Sequence, residues 1–159
     1  MLIFTMDKKN SVEDIKKLRE ETGAGFSDVK EALEKAKGHV EKARHILKAK
    51  GLEKATKKGE REVKAGVVEA YSHGGKAGVL VTVLCETDFV ARTDDFKYLV
   101  HELALQIVSM KPENREELLK QEYIRDSSMI VKQLIDSYIA KLGENIQVAS
   151  FTRATLSGE

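Results

Sequence analysis

The run Gly78-Val-Leu-Val-Thr-Val-Leu-Cys-Glu86 is the strongest strand pattern in this sequence. Its side chains fall into two sets that point to opposite faces of a sheet, because successive residues of a strand alternate in direction. Both sets are mostly apolar, which is typical of a strand covered on both sides. We therefore predict packing on the face formed by Val79, Val81, Val83 and Cys85 and also on the face formed by Leu80, Thr82 and Leu84.

The segments on either side of this strand predict a hairpin and a helix. Residues 63–72 form another run rich in Val and Ala, and His73-Gly-Gly-Lys76 joins the two runs. Glycines accept the positive φ of a tight hairpin turn, so this tetrapeptide is a hairpin signal. Thr93 is a good N-cap for a helix whose apolar stripe ends at Lys111-Pro112.

A second helix and a closing strand complete the C-terminal part. Ser127 or Ser128 is predicted to begin the helix, and Gly143 to end it. Residues 145–155 then form a strand in which Ile146, Val148 and Ser150 alternate with Gln147, Ala149 and Phe151. We predict an α+β core domain over residues 63–159, with helices packed on a small antiparallel sheet.

The N-terminal part has the pattern of three short helices. Ser11, Ser27 and His39 are the predicted starts, and Gly23 and Gly38 end the first two helices. Helices of this length are not stable alone, so they are expected to pack together as a module over residues 8–51. Residues 52–62 are charged and helix-permissive, which predicts a helical linker whose weakest point is Gly59.

Charge and cysteine content exclude several classes of protein. The formal net charge is +1, which is too weak to indicate direct binding of nucleic acid. Cys85 is the single cysteine, so no internal disulfide is expected and the compartment is predicted to be the cytoplasm. No run of about 18 apolar residues occurs, so no membrane span is predicted.

No constellation of residues indicates catalysis. The four histidines are scattered, none lies at metal-ligand spacing with Cys85, and no phosphate-binding glycine loop occurs. We therefore predict that the protein is not an enzyme and has no catalytic residues, metal or cofactor. Cys85 alternates with valines, which favours a small buried hydrophobic residue over a reactive thiol.

The segment Thr87-Asp-Phe-Val-Ala-Arg92 is the strongest candidate for a binding site. It lies between the predicted strand and the helix that starts at Thr93, and it presents an apolar pair, Phe89 and Val90, beside the carboxylate of Asp88. Aromatic anchors on rigidly held loops often supply the energy of a protein interface. The alternative is that Phe89 folds inward and caps the core, and the residues by themselves do not separate the two.

Several motifs resemble those of the bacterial elongation factor Ts family. The run Cys85-Glu-Thr-Asp-Phe-Val-Ala-Arg92 is similar to the signature of that family, and Leu18-Arg-Glu-Glu-Thr-Gly-Ala-Gly25 resembles its N-terminal signature. The three-helix module resembles the family's ubiquitin-associated-like domain. The segments Tyr71–Val81 and Leu142–Ile146 continue the likeness, which therefore covers nearly the whole chain in order.

The resemblance implies a function without covalent chemistry. Members of the family act as guanine-nucleotide exchange factors for elongation factor Tu, and an Asp-Phe pair enters the GTPase domain of that partner beside its magnesium site. Carried over, Phe89 would be the wedge and Asp88 the polar group that disturbs the Mg²⁺, with Thr87 and Val90 shaping the loop. The resemblance thus implies GDP release from elongation factor Tu in the cytoplasm.

The chain departs from the longer members of the family in size. Those members have two related core subdomains, whereas one is predicted here, so we expect a short form in which two copies pair as a homodimer. His73 and Gly74 would then provide a possible second contact with the partner, and Gly23, Gly25 and Phe26 a possible contact from the N-terminal module. One rival hypothesis is a general interaction module, in which the three-helix unit binds ubiquitin-like or other proteins through Gly25 and Phe26 without exchange activity. The other is a small enzyme that uses His73 and Asp88.

Overall fold

The computed structural model describes residues 12–158, so the predicted N-cap Ser11 and the start of the module at residue 8 lie outside the described residues. Helices come first, and a small antiparallel sheet packed with helices follows, which confirms the predicted α+β class. The elements are α1 (Val12–Thr22), α2 (Phe26–Lys35), α3 (Val40–Lys58), β1 (Ala65–His73), β2 (Ala77–Cys85), α4 (Asp88–Ala91), α5 (Asp94–Met110), α6 (Arg115–Lys120), β3 (Glu122–Tyr123), β4 (Asp126–Ile130), α7 (Val131–Leu142) and β5 (Ile146–Thr155).

The first three helices enclose a small core of their own. The predicted apolar stripes supply its buried residues, and Gly23 and Gly38 take the positive φ values of 65° and 78° that follow the ends of α1 and α2. The prediction that Ser27 starts α2 is wrong by one residue, because Gly25 is the N-cap and Phe26 is the first residue of the helix. The buried residues of this cluster are Leu18, Val29, Ala32, Leu33, Ala36, Ala43 and Leu47.

Helix α3 joins this cluster to the rest of the molecule. It runs without a break from Val40 to Lys58 and packs against α7. Residues 52–58 of the predicted helical linker are therefore the end of this helix, and residues 59–62 follow it. Ala55 is buried in the core of the C-terminal part. A Cβ atom added to Gly51 would lie 3.3 Å from the Cβ atom of Ala140, which shows how closely α3 and α7 approach.

The sheet has the strand order β1-β2-β5, and all its pairs are antiparallel. Cys85 pairs with Ala65 on one side and with Ile146 on the other. Helix α5 packs on the inner face, and Phe96 and Leu103 of this helix are fully buried. The inner face of β2 is formed by the predicted set of Val79, Val81, Val83 and Cys85.

The opposite face of the sheet, which we call the outer face, is not covered. The prediction that β2 is packed on both sides is therefore wrong. Leu80 is 53% exposed, and Val68 on the neighbouring strand is 66% exposed. Helix α5 packs on the inner face, and on the outer face the side chains of Val68 and Leu80 remain in solvent while Leu84 is half-buried.

A bulge interrupts the pairing of β5 with β2. Val148 pairs with Val83 and Ser150 pairs with Thr82, so Ala149 has no partner opposite it. The extra residue reverses the alternation, and Phe151, which pairs with Val81, packs against the core instead of Ser150. The predicted alternation of this strand therefore holds only before the bulge.

Helix α7 begins later than predicted. Ser127 and Ser128 lie in strand β4, which pairs with β3, and α7 starts at Val131. The backbone N–H and the hydroxyl of Ser128 both donate to Asp126 Oδ1, at 3.0 and 2.6 Å. The serine is therefore held locally by an aspartate and does not cap the helix, whose preceding residue Ile130 donates its N–H to Gln133 Oε1 at 3.1 Å.

A buried polar network fastens the β3–β4 hairpin to α5. Glu102 is 1% exposed, and its Oε2 atom accepts hydrogen bonds from the Tyr123 hydroxyl and from Arg125 Nε. Burial alone would raise the pKa of Glu102, but the hydrogen bonds from Arg125 and Tyr123 lower it below its ordinary value. Gln106 adds a bond from Nε2 to the carbonyl of Glu122 at 3.0 Å.

Candidate functional site

The candidate segment folds as a single helical turn at the end of β2. It was predicted as a loop, and the structure shows α4 over Asp88–Ala91. Thr87 is the N-cap, and its hydroxyl accepts from the N–H of Val90 at 3.4 Å. The Thr93 hydroxyl accepts from the N–H of Phe96 at 3.2 Å and so caps the following helix as predicted.

This turn places its two apolar residues on opposite sides. Phe89 is 82% exposed, whereas Val90 is 5% exposed and belongs to the core. The sequence left open whether Phe89 points into the solvent or caps the core, and in the structure its side chain points into the solvent. Val90 anchors the turn, and the phenyl ring of Phe89 projects from it.

Asp88 lies beside the projecting ring and is exposed. Its carboxylate forms no hydrogen bond or ion pair with any residue from 12 to 158. An exposed aromatic ring next to an unengaged carboxylate is an arrangement that reaches outward from the fold. The two side chains form a short projection on the surface of the protein.

The turn is held in place by Glu144, a residue that sequence analysis did not assign to the site. The Oε2 atom of Glu144 accepts from the backbone N–H groups of Glu86 and Thr87, each at 3.0 Å, and its Oε1 atom accepts from the Thr87 hydroxyl at 2.6 Å. Glu144 lies two residues before the start of β5, which pairs with β2. The family-like segment Leu142–Ile146 contains Glu144, but its contact with the turn follows only from the pairing of these two strands.

Asn145 is the second residue of the site that the sequence did not reveal. Its backbone N–H donates to Glu86 Oε1 at 2.7 Å, and its side-chain Nδ2 donates to the carbonyls of Gly59 and Arg61 at 3.2 and 2.7 Å. Arg61 also pairs with Glu86 at 3.7 Å. The base of the turn is thus connected to the residues that follow α3.

Cys85 lies directly below the turn, in the core. Its thiol donates to the carbonyl of Thr87 at 3.3 Å. Burial raises the pKa of the Cys85 thiol to about 11, and the nearby carboxylate of Glu144 adds to this shift. The thiol is therefore protonated at neutral pH and supports the packing of the site, as the alternation with valines predicted.

The structure does not bring His73 and Gly74 together with the turn. They lie in the β1–β2 hairpin, and α4 follows the opposite end of β2. Nine residues of extended strand separate the two ends by about 27 Å. His73 Nδ1 is 3.0 Å from the hydroxyl of Tyr71, and Gly74 has a φ of 59° in the turn.

The residues predicted for the N-terminal contact have different surroundings. Phe26 is 55% exposed and lines a shallow groove with Val12, and Gly25 has open space around it. Gly23 faces α7 instead, where an added Cβ atom would lie 2.5 Å from Cγ of Lys141. Lys141 in turn donates to Asp95 Oδ1 at 2.9 Å, in the first turn of α5.

The comparisons with known proteins identify the family. Its sequence model, described as elongation factor Ts, matches residues 86–159, which include α4 and Glu144. Elongation factor Ts of Coprothermobacter proteolyticus is 45% identical over 188 aligned positions, which cover 89% of this chain and 95% of that protein. The chain belongs to the elongation factor Ts family.

Two further relatives agree with this assignment, and both are elongation factor Ts proteins of Thermotoga. The protein of Thermotoga neapolitana is 42% identical over 193 positions, with 94% of this chain and 98% of that protein covered. The protein of Thermotoga maritima is 43% identical over 187 positions, with 90% and 94% covered. Membership of the elongation factor Ts family shows a role in translation elongation.

The elongation factor Ts relatives contain residues that this chain lacks. The alignments run over more positions than the 159 residues of the chain, although they leave part of it unmatched. Some positions of the relatives therefore face gaps inside the aligned region, which agrees with the expected short form. Within residues 12–158 no helix has the length and hydrophobicity needed to cross a membrane.

Proposed function

We propose that this protein is a guanine-nucleotide exchange factor for elongation factor Tu. In this mechanism Phe89 enters the GTPase domain of elongation factor Tu in its GDP-bound form, and the carboxylate of Asp88 disturbs the bound Mg²⁺ so that GDP leaves. The observation that carries the proposal is the position of Phe89, whose ring is 82% exposed on a turn that Val90 and Glu144 hold from below.

The mechanism requires a difference in affinity rather than a chemical step. The factor accelerates release if it binds the nucleotide-free partner more tightly than the GDP-bound partner. By the same linkage, GDP must weaken the binding of the factor. The proposal therefore needs no catalytic residue, metal or cofactor on this chain, and the protein would act in the cytoplasm as a binding partner, without contact to nucleic acid or membrane.

Two further contacts with elongation factor Tu belong to the proposal. Phe26 and Gly25 form an exposed apolar corner of the N-terminal cluster. The Phe26 ring suits a second contact with the partner, because it is an exposed phenyl ring like that of Phe89. His73 and Gly74 stand at the other end of the sheet and would contact a different part of the partner. Gly23 would support the Phe26 contact by seating the cluster on α7.

The outer face supports the proposed homodimer. An uncovered apolar sheet face in a protein of this size is typical of a surface that another chain covers. A second copy would bury Val68 and Leu80 and would present a second turn and a second hairpin to the partner. In a single chain Phe89 and His73 lie at opposite ends of β2, and in the proposed homodimer each would come from a different subunit.

The proposal is tested by the release of fluorescent GDP from elongation factor Tu, followed by stopped flow with increasing amounts of the protein. We expect strong acceleration by the wild-type protein and a large loss with Phe89→Ala. Met110→Ala is the matched control, because Met110 is also exposed but lies at the far end of α5. Unchanged GDP release in the presence of the wild-type protein would contradict the proposal and favour the interaction-module alternative.

A further inference from the structure

At the base of the α4 turn, two backbone N–H groups lie beyond the end of the sheet and have no strand partner. The pairing of β2 with β5 ends at Cys85 and Ile146, and the next N–H groups, those of Glu86 and Thr87, have no strand opposite them. Both point at one carboxylate oxygen of Glu144, at 3.0 Å each. Hydrogen bonds to a charged acceptor are stronger than those between neutral groups, so the backbone that follows β2 is firmly held.

The attachment is reciprocal. Glu144 accepts from Glu86, and Glu86 Oε1 accepts from the N–H of Asn145 at 2.7 Å. We call the four residues Glu86, Thr87, Glu144 and Asn145 the clasp. The clasp continues the connection between β2 and β5 beyond the last paired residues, and side-chain carboxylates replace the backbone carbonyls of a strand.

The Thr87 hydroxyl carries the effect of the clasp into the turn. A hydroxyl has one proton to donate and lone pairs that accept. In this structure the proton points to Glu144 Oε1 at 2.6 Å, which leaves a lone pair for the N–H of Val90 at 3.4 Å. Glu144 therefore sets the orientation in which Thr87 can act as the N-cap of α4.

The turn depends on that cap because it is too short to be stable by itself. Four residues form a single helical turn, and isolated helices far longer than this are marginal in water. Val90 and Ala91 attach one side of the turn to the core. Phe89 points away from the core and is 82% exposed, so packing within residues 12–158 does not determine where its ring lies.

We propose that Glu144 is the positioning residue of the Asp88-Phe89 projection, and that it acts through the Thr87 hydroxyl to present the Phe89 ring in one direction before a partner is met. The inference rests on the proposed exchange function and deepens it. Preorganisation matters because the cost of ordering a mobile side chain is subtracted from the binding free energy. Without Glu144 that cost falls on the step in which Phe89 enters the partner.

The first test is a double-mutant cycle between Glu144 and Phe89, read out as GDP release from elongation factor Tu at saturating factor. Loss of charge-assisted hydrogen bonds in Glu144→Ala should slow release about tenfold when Phe89 is present. In the Phe89→Ala background, Glu144→Ala should change the rate of GDP release by less than about twofold, because there is no longer a Phe89 ring for Glu144 to position. Glu144→Gln keeps the shape and one acceptor, so an intermediate rate is expected.

The matched control is Glu116→Ala. Glu116 is an exposed glutamate whose side chain, among residues 12–158, bonds only to Lys120 of the same helix, at 2.8 Å. Its removal should leave GDP release unchanged. A Glu144→Ala variant that equals the wild-type protein, or effects of Glu144→Ala that are equal with and without Phe89, would overturn the inference while the exchange function stands.

The second test uses the free protein and does not depend on the partner. In Glu144→Gln, the backbone N–H groups of Glu86 and Thr87 should exchange with solvent deuterium faster by about tenfold, whereas those of the inner strand residues Val81 and Val83 keep their protection. Unchanged protection at Glu86 and Thr87 would overturn the role of Glu144. Absence of GDP release with the wild-type protein would overturn the exchange function itself, and that outcome is distinguishable from both results above.

Discussion

Two adjacent residues of the α4 turn, Phe89 and Val90, differ sharply in exposure to solvent. Phe89 and Val90 are both apolar and follow each other in the chain, yet one is in solvent and the other in the core. Hydrophobicity at the level of composition does not separate them. Their positions in the helical turn do, because Val90 is bound through its N–H to the Thr87 cap and faces inward with Ala91.

This difference predicts opposite effects on stability. Phe89→Ala should leave the free energy of unfolding nearly unchanged, because the ring has little buried area to lose. Val90→Ala should lower it by about 2 kcal/mol, because the deletion of buried methyl groups leaves a cavity. Urea denaturation followed by circular dichroism measures both. A loss of 3 kcal/mol or more on Phe89→Ala would show that the ring packs in the core.

At the scale of elements, strand patterns and glycine signals predicted a large part of the fold. The apolar run over β2, the hairpin at His73–Lys76 and the helix stop at Gly143 all occur where they were expected. The reason is that these signals are local, since alternation and positive φ are properties of short segments. The outer face was predicted wrongly because the residue pattern of β2 does not show whether the rest of the chain provides helices to cover both faces of the sheet.

Other elements could not be predicted because their causes are distant in the sequence. The serines of β4 have the chemistry of helix caps, and the pairing with β3 overrides that preference. The α4 turn is too short to show a helical period. The clasp requires Glu86 and Glu144 to meet, and their contact follows only from the pairing of β2 with β5.

The network at the β3–β4 hairpin predicts an acid-sensitive element. Since the pKa of Glu102 in the folded protein is below its ordinary value of 4.5, the carboxylate stabilises the fold at pH above that value, and this contribution is lost as the pH falls through the lower folded-state pKa. Glu102→Gln should therefore flatten the decline in unfolding free energy below about pH 4.5.

The measurement is urea denaturation at a series of pH values, with Glu116→Gln as the control. Glu116 pairs with Lys120 in solvent, where the pair is screened and holds no hairpin. Its substitution should leave the acid dependence close to that of the wild-type protein. Identical acid curves for the wild-type protein and Glu102→Gln would contradict the role of the network.

At the scale of the whole molecule, we expect the N-terminal cluster and the sheet domain to unfold as one unit. Helix α3 belongs to both, and Gly23 lets the turn after α1 sit directly on α7. Gly23→Ala should lower the free energy of unfolding by more than about 1 kcal/mol, because the residue needs a φ of 65° and its Cβ atom would meet Lys141.

Gly25 provides the comparison for Gly23 two residues away. It has a φ of −66° and no atom within 4 Å of an added Cβ, so Gly25→Ala should change stability by much less. Both variants are measured by urea denaturation with a probe in each part of the molecule. Separate transitions for the two parts in the wild-type protein would show that they fold independently.

The outer face makes a prediction about oligomeric state. Sedimentation at micromolar concentration should show a dimer for the wild-type protein and a monomer for Leu80→Glu, because a charge on the outer face opposes its burial. Met110→Glu, also at an exposed apolar position, should remain dimeric. A wild-type monomer that still accelerates GDP release would rule out the need for pairing.

The unbroken course of α3 bears on how long a complex would last. A helix of 19 residues is about 28 Å long, and α3 packs against α7, where Gly51 faces Ala140. If Phe89 engages a partner as proposed, Phe26 would already stand at a set distance and would meet its own contact as an intramolecular event. Two modest contacts joined in this way would act with a high effective concentration, and we expect their combined residence time to exceed that of either contact alone.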